Sequence, residues 1–348
     1  MQNNNNARYE QYRKEMNRKK AKKTARNRLI ILQVVVFLLI FGAISALIFI
    51  PGNSSLADIT GIYPSSLESE KIVPATAVID NSPLVKEISS EVYSSNAILV
   101  YLSSGEVIAA KSPDEKIYPA SLTKILTAIV VLEHFEDVNV MLEVPADIYA
   151  YLIQENASCA GFVANEKVKV IDLLYGVMLP SGADACLTLV RAVAGNEQAF
   201  AKKMTDKAHQ IGAVNTNFTN STGLHDDNHY TTVRDMSIIL KYALENETFR
   251  TLFTTESYTT PATNKHKYGL TFSNTTFNAF KRGGLTNNYV KGGKTGFTGE
   301  ARLCLATLGE KNGKEYILVT VGAGSGSSNK GVQHAQDANY IYQNYTLS

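Results

Sequence analysis

Residues 29–50 (Leu29 to Ile50) form 22 consecutive positions without a charged side chain, and only Gln33 and Ser45 interrupt the apolar run. A helix rising 1.5 Å per residue needs about 20 such residues to cross the hydrocarbon core of a bilayer. A buried helix of a globular core would show a polar stripe, and this stretch has none. Residues 1–28 carry ten Lys/Arg against two Glu, so the basic excess lies wholly on the N-terminal side. That asymmetry places residues 1–28 in the cytoplasm and everything beyond Pro51 outside. The apolar segment exceeds the roughly 7–15 residues of a secretory signal, which favours a retained anchor. Ser55-Leu56-Ala57 offers a small-x-small pattern, so secretion after cleavage near Ala57 is the alternative.

Beyond the tail the chain holds 24 basic and 30 acidic side chains. This acidic balance argues against nucleic acid as a partner. Residues 51–85, rich in Ser, Pro, Ile and Glu without sustained periodicity, read as an extracytoplasmic linker. Cys159, Cys186 and Cys304 are an odd number outside the membrane, which rules out a complete intramolecular disulfide set. Each has small or apolar neighbours, so buried free thiols are expected.

A domain over 86–345 follows. Ala97–Tyr101 and Val107–Ala110 flank a Ser103-Ser104-Gly105 turn and predict a β-hairpin. Pro119 introduces an apolar helix to about His134. Helices are predicted over 169–178, 183–194, Asn196 to near Gly212, and 233–244. Strands over 291–296 and 301–308 precede an Asn312-Gly313 turn, a partner strand over 316–322, and a helix over about 331–345. The fold class is therefore α/β: a mainly antiparallel sheet formed by both chain ends, with a helical region inserted.

Three segments carry candidate chemistry. In Tyr118-Pro119-Ala120-Ser121-Leu122-Thr123-Lys124, Ser121 falls in the first turn of a predicted helix, where free N–H groups favour developing negative charge. Lys124, three residues on, shares its face. A lysine on so apolar a helix either keeps its amine in water or is desolvated with a lowered pKa, and the second state can take a serine proton. Lys291-Gly292-Gly293-Lys294-Thr295-Gly296 sets a cation and a hydroxyl among glycines that permit close backbone approach. Leu179-Pro180-Ser181-Gly182-Ala183-Asp184 is a short turn that can present Ser181 to a cleft. Each alone has an ordinary structural explanation: a capping serine, a snorkelling lysine, a glycine-bearing strand.

In combination and order, Ser121-x-x-Lys124, Ser181-Gly182-x and Lys294-Thr295-Gly296 resemble the penicillin-recognising serine enzymes. Pro119–Lys124, Asn220-Ser221-Thr222-Gly223-Leu224, His229-Tyr230-Thr231-Thr232 with Asp235, and Gly293-Lys294-Thr295-Gly296-Phe297-Thr298 look like the low-molecular-mass D-alanyl-D-alanine carboxypeptidases. The resemblance covers about 86–345. It implies the β-lactamase/transpeptidase-like fold, no cofactor, no metal, and peptidoglycan stem peptides and β-lactam antibiotics as ligands. It further implies that Ser121 is acylated, Lys124 is the base, and Ser181 relays a proton to the leaving amine. Lys294 and Thr295, with Gly296 beside them, would hold the substrate carboxylate. The Ser121 and Phe297 N–H groups would form the oxyanion hole. Lys330 falls near the place where many members carry a carboxylate-binding Arg.

The chain departs from this pattern at Ala183, where the family's middle motif normally ends in Asn. Loss of that donor predicts weaker substrate positioning. Members of the family often add a C-terminal β-domain with an amphipathic helix, and the N-terminal span is expected to replace that attachment. Three alternatives remain: a weakened penicillin-binding module that senses wall peptides, a serine β-lactamase, and a zinc peptidase. The second lacks a matching Glu-x-x-Leu-Asn stretch. The third would use His225, Asp226, Asp227 and His229, whose spacing is not that of a zinc site and which read as a polar loop. Lys202-Lys203 and Lys281-Arg282 read as solvated faces, and Tyr340, Tyr342 and Tyr345 as packing on the sheet.

Overall fold

Strands that are apolar at every position need cover on both faces, and the two ends of this domain supply such strands. The computed structural model describes residues 85–324 and 331–347; the expected span over 29–50, the linker and Lys330 lie outside them. After β1 (Lys86–Glu87) come β2 (Asn96–Tyr101) and β3 (Val107–Lys111). A 3₁₀ turn, Ala120–Thr123, runs into α1 (Lys124–His134). The insert continues with β4 (Met141–Glu143), α2 (Ile148–Gln154), β5 (Lys167–Lys169), α3 (Val170–Met178), α4 (Ala183–Ala194) and α5 (Glu197–Gln210). It closes with α6 (Val233–Leu244), α7 (Glu247–Thr254), β6 (Ser257–Thr259), β7 (Thr271–Ser273) and α8 (Thr275–Arg282). The chain returns through β8 (Val290–Thr298), β9 (Arg302–Lys311), β10 (Lys314–Ala323) and α9 (Gln333–Tyr345).

The sheet order is β1-β3-β2-β10-β9-β8. The two chain ends therefore meet at β2–β10, an antiparallel pair with Leu99 opposite Leu318. Only the β1–β3 pair is parallel among the described strands. Alternate residues then face two separate cores. Ile98, Val100, Ala306 and Val319 pack against the helical insert. Ala97, Leu99, Leu305 and Leu318 pack under Ala335, Ala338, Ile341 and Tyr342 of α9. Tyr342 is fully buried, its hydroxyl 2.9 Å from Thr307 Oγ1, whereas Tyr340 is exposed.

Helix starts follow their capping residues. Asn196, Thr232, Asn246 and Asn274 each accept a backbone N–H from the first turn of α5, α6, α7 and α8. Gly195, at φ +75°, stops α4. Cys186 and Cys304 are buried free thiols, but Cys159 is exposed, contrary to the sequence expectation. The loop carrying it is held by backbone N–H groups donating to the Asp184 carboxylate and by Phe162 in the core, which leaves the Cys159 side chain outside.

Two close approaches set the position of the 3₁₀ turn. A Cβ at Gly223, φ +79°, would stand 1.9 Å from Ala120 O. A Cβ at Gly296 on β8 would stand 3.0 Å from Ser121 N. Substituting Gly223→Ala combines a left-handed backbone cost with that collision, so it is expected to lower unfolding free energy by at least about 2 kcal/mol. Urea unfolding of the wild type and variant checks this.

Candidate active site

The strained residues of the turn regions lie beside the hydroxyls of interest. Ala120, immediately before Ser121, has φ +46°, and Ser181 itself has φ +67°. Non-glycine residues hold such angles only where surrounding contacts enforce them, a pattern common at functional sites. For Ala120 the enforcement is visible. Thr123 Oγ1 donates to Ala120 O at 2.8 Å, and His229 Nε2 lies 2.8 Å from the same hydroxyl. Thr219 N donates to His229 Nδ1, so Nε2 carries the hydrogen that Thr123 accepts. Burial lowers the His229 pKa to about 4, keeping the ring neutral. His229 therefore braces the turn. His225, Asp226 and Asp227 sit in the loop before it, and no metal-holding group of three His/Cys/Asp/Glu occurs among the described residues.

Behind the turn, Lys124 is 2% exposed. Its Nζ lies 3.1 Å from Ser121 Oγ and donates to Thr222 O at 2.5 Å. Asn220-Ser221-Thr222-Gly223 forms the wall against which this amine rests. Asn220 Oδ1 takes the N–H groups of Thr222 and Gly223, and Glu197 Oε1 takes Ser221 N and Oγ. Desolvation lowers the Lys124 pKa, opposed by the weaker pull of Cys186, Glu197 and Asp184.

Across the cleft the arrangement repeats. Lys294 is fully buried on β8, donating to Ser181 Oγ and to Thr295 O, each at 2.9 Å. Burial, then the neighbouring charge of Lys124, drives its pKa well below the ordinary value. Two serine hydroxyls, each held by a desolvated lysine, thus face one space. Lys294 presents no charge to the cleft surface. Thr295 does reach it, its hydroxyl 2.6 Å from Thr275 Oγ1 at the start of α8.

The cleft holds about 290 Å³ and brings Ser121, Ser181, Thr295, Gly296 and Phe297 together. Four further polar residues line it that the sequence did not nominate as site residues: Ser158, Thr275, Arg282 and His334. Arg282 is exposed as expected of a solvated face, but from the end of α8 it also borders this space. It makes no ion pair with a described residue. His334 is 2% exposed, and burial followed by the Arg282 charge lowers its pKa to about 4.

Ala183 is buried at 2% within the apolar core, its N–H donating to Ser158 O at 2.7 Å. Asp184 accepts the N–H groups of Ala160, Gly161 and Phe162 at 2.7, 2.9 and 3.0 Å.

Comparison with known proteins matches residues 82–325 to a family described as D-alanyl-D-alanine carboxypeptidase. A D-alanyl-D-alanine carboxypeptidase of Streptomyces sp. (strain K15) is 32% identical over 254 residues, covering 70% of this chain and 82% of the relative. D-alanyl-D-alanine carboxypeptidase DacF of Bacillus subtilis (strain 168) is 31% identical over 229 residues, 66% of this chain. The match spans 57% of that Bacillus relative's length. The crystal structure of the Streptomyces K15 DD-transpeptidase superposes with a TM-score of 0.66 at 28% identity, covering 74% of this chain and 98% of that one.

The Asp184 carboxylate is the sole acceptor holding three consecutive N–H groups of the 158–162 loop against the Ser181 turn. Asp184→Asn turns one oxygen into a donor facing donors, and the expected loss is about 2–3 kcal/mol of stability. Chemical denaturation of the wild type and variant measures it.

Proposed function

From membership of this chain in the D-alanyl-D-alanine carboxypeptidase family, the low-molecular-mass serine peptidases of family S11, we propose that it removes the terminal D-Ala of peptidoglycan stem peptides through a Ser121 acyl-enzyme. The observation carrying this reading is the pair of desolvated lysines, each bonded to a serine hydroxyl across one cleft. Neutral Lys124 takes the Ser121 proton as Oγ adds to the carbonyl carbon of the penultimate D-Ala. The Ser121 and Phe297 N–H groups donate to the developing oxyanion, typically the largest electrostatic contribution in acyl transfer. Collapse breaks the C–N bond; Ser181, coupled to Lys294, passes its proton to the leaving amine and is reprotonated with the proton that Lys124 had taken. Water then attacks the acyl carbon, giving a proton to the again neutral Lys124, which returns it to Ser121 Oγ as the shortened peptide leaves. β-Lactams acylate Ser121 by the same first step and act as inhibitors.

The leaving D-Ala carboxylate fits the end of the cleft bordered by the Thr295 and Thr275 hydroxyls and by Arg282. Lys294, buried and pointed at Ser181, serves proton transfer better than carboxylate binding. Lys330 is the competing cation and lies outside the described residues. In the cell we place the domain outside a bacterial membrane, tethered by residues 29–50 or released by cleavage near Ala57.

Ser121→Ala is expected to abolish both labelling by fluorescent penicillin and D-Ala release; release that persists would overturn the mechanism. Steady nitrocefin turnover by the wild type, in place of stoichiometric trapping, would point to a β-lactamase instead.

A base that must be neutral predicts an acylation rate rising with pH along a limb below 10.5, the ordinary lysine value. The same lowered pKa implies that burying a charged Lys124 opposes folding at low pH, so its stability contribution improves as pH climbs through the folded pKa toward 10.5. Lys124→Arg, which cannot deprotonate, should eliminate labelling across that range.

For the carboxylate, Arg282→Gln should raise KM about tenfold or more for a D-Ala-terminated peptide while leaving its C-terminal amide unaffected, the loss of one charged hydrogen bond. If Lys330→Gln alone has that effect, the cation lies beyond β10.

A further inference from the structure

An extended peptide carries backbone polar groups along both of its edges, and each needs a partner once water is excluded. β8 is an edge strand of the main sheet, so the backbone row it turns away from β9 has no strand partner among the described residues. A stem peptide laid along that row satisfies one of its own edges by strand addition. The other edge faces the wall made by the Ser181 turn and the 158–162 loop.

The side chain of residue 183 is badly placed to serve that second edge. Ala183 lies in the apolar core, covered at 2% exposure. The loop that covers this turn is docked tightly. Ser158 O accepts Ala183 N at 2.7 Å, and a Cβ at Gly182 would stand 2.6 Å from Ala160 Cβ. Asp184 holds the next three N–H groups of the same loop. What the loop brings to the cleft is Ser158, exposed, lining the same space as Ser121 and Ser181. Its hydroxyl has no partner among the described residues, although its backbone is fixed by the Ala183 contact.

We propose that the Ser158 hydroxyl is the side-chain partner of the substrate's acyl-side amide, donating to the carbonyl oxygen of the amide that precedes the penultimate D-Ala. The assignment rests on the acyl-enzyme reading above. It moves a positioning contact from the 183 side chain, where the family resemblance expects an asparagine, to a neighbouring loop. Ser158 is a positioning residue: it aligns the acyl group, and the proton transfers remain with Ser121, Lys124 and Ser181.

The test compares two β-lactams that differ at this amide. Benzylpenicillin carries an acylamido side chain, and 6-aminopenicillanic acid has a free amine in its place. Loss of one neutral hydrogen bond predicts that Ser158→Ala slows Ser121 acylation by benzylpenicillin about tenfold. The rate with 6-aminopenicillanic acid should not change, and Ser158→Thr, which keeps the hydroxyl, should recover most of the lost rate. Unchanged thermal unfolding of Ser158→Ala would show that the exposed hydroxyl has no structural load. Equal slowing with both compounds, or no slowing with either, overturns the proposal. Ala183→Asn is the companion variant: with a buried 183 side chain it gives no gain in rate, and a clear gain would return the contact to position 183. Failure of the wild type to label at Ser121 with either compound would defeat the acyl-enzyme reading itself. Labelling that is indifferent to Ser158 defeats the present assignment alone.

Discussion

The chemistry of this domain depends on hiding two ammonium groups from water. An isolated charged amine pays a large solvation penalty in an apolar interior, and the usual response is to give up the proton. Lys124 and Lys294 are both buried, and the Lys124 charge further disfavours that of Lys294. α1 puts Lys124 among Ile125, Leu126 and Ile129, and β8 puts Lys294 beneath the floor of the cleft. A serine beside either lysine would be an ordinary hydroxyl if the amine could reach solvent. The carboxylates within range, Glu197 and Asp184, pull the Lys124 pKa back up, but both are held by their own hydrogen bonds and neither contacts the amine. The balance leaves the Lys124 pKa lowered, with desolvation the larger effect.

That burial is possible because the sheet is completed by both ends of the chain. β8 arrives in sequence long after the turn bearing Ser121, yet Gly296 lies against Ser121 N with no room for a side chain. The strain at Ala120 and Ser181 follows from the same crowding. Each residue is held at an angle costing about 1–3 kcal/mol by contacts from distant segments. Ala120 is held by Thr123, His229 and Gly223; Ser181 is held by Lys294 and the loop docked on Asp184. Strain here is a product of tertiary contact and would relax in any isolated peptide carrying the same motif.

This explains which parts were legible in the sequence. Elements with strong local signals stand where they were read: α4 and α6 match their expected limits, and Asn196 caps α5 as its position implied. The Asn312-Gly313 turn joins β9 to β10. Elements missed were short, such as α2, α7 and α8 and the two-stranded pairs β4–β5 and β6–β7, even though Asn246 and Asn274 cap α7 and α8. Within the site, Ser121 and Lys124 were visible as a pair because both lie in one motif, whereas Ser181 and Lys294 were visible as separate motifs and their contact came from the fold. Arg282 and Ser158 were not, since a basic pair at a helix end and a serine in a polar loop look the same whether or not a cleft opens beside them. Cys159 misled for a related reason. Small neighbours suggest a core, but Asp184 anchors that loop through backbone groups, which no residue pattern advertises.

The absent asparagine at 183 takes on a different meaning once the loop is in place. Read from the sequence, Ala183 removes a donor and leaves a gap in the substrate-binding wall. In the fold, position 183 is a buried apolar contact whose N–H ties it to Ser158 O. An amide there would enter an apolar cluster, and burying it without partners costs about 1–3 kcal/mol. Alanine is thus the residue the packing prefers, and the docked loop can carry the polar function at its surface. A motif departure that reads as loss can therefore be a transfer, provided the replacement is as rigidly held as the residue it replaces. The Ser158 backbone meets that condition through the Ala183 hydrogen bond, and the loop following it through three N–H groups on one carboxylate. The side chain itself keeps its rotamer freedom until a ligand arrives. The entropy of fixing one hydroxyl is small beside that of fixing a long amide side chain, so a short serine on a rigid loop can position a substrate at little cost.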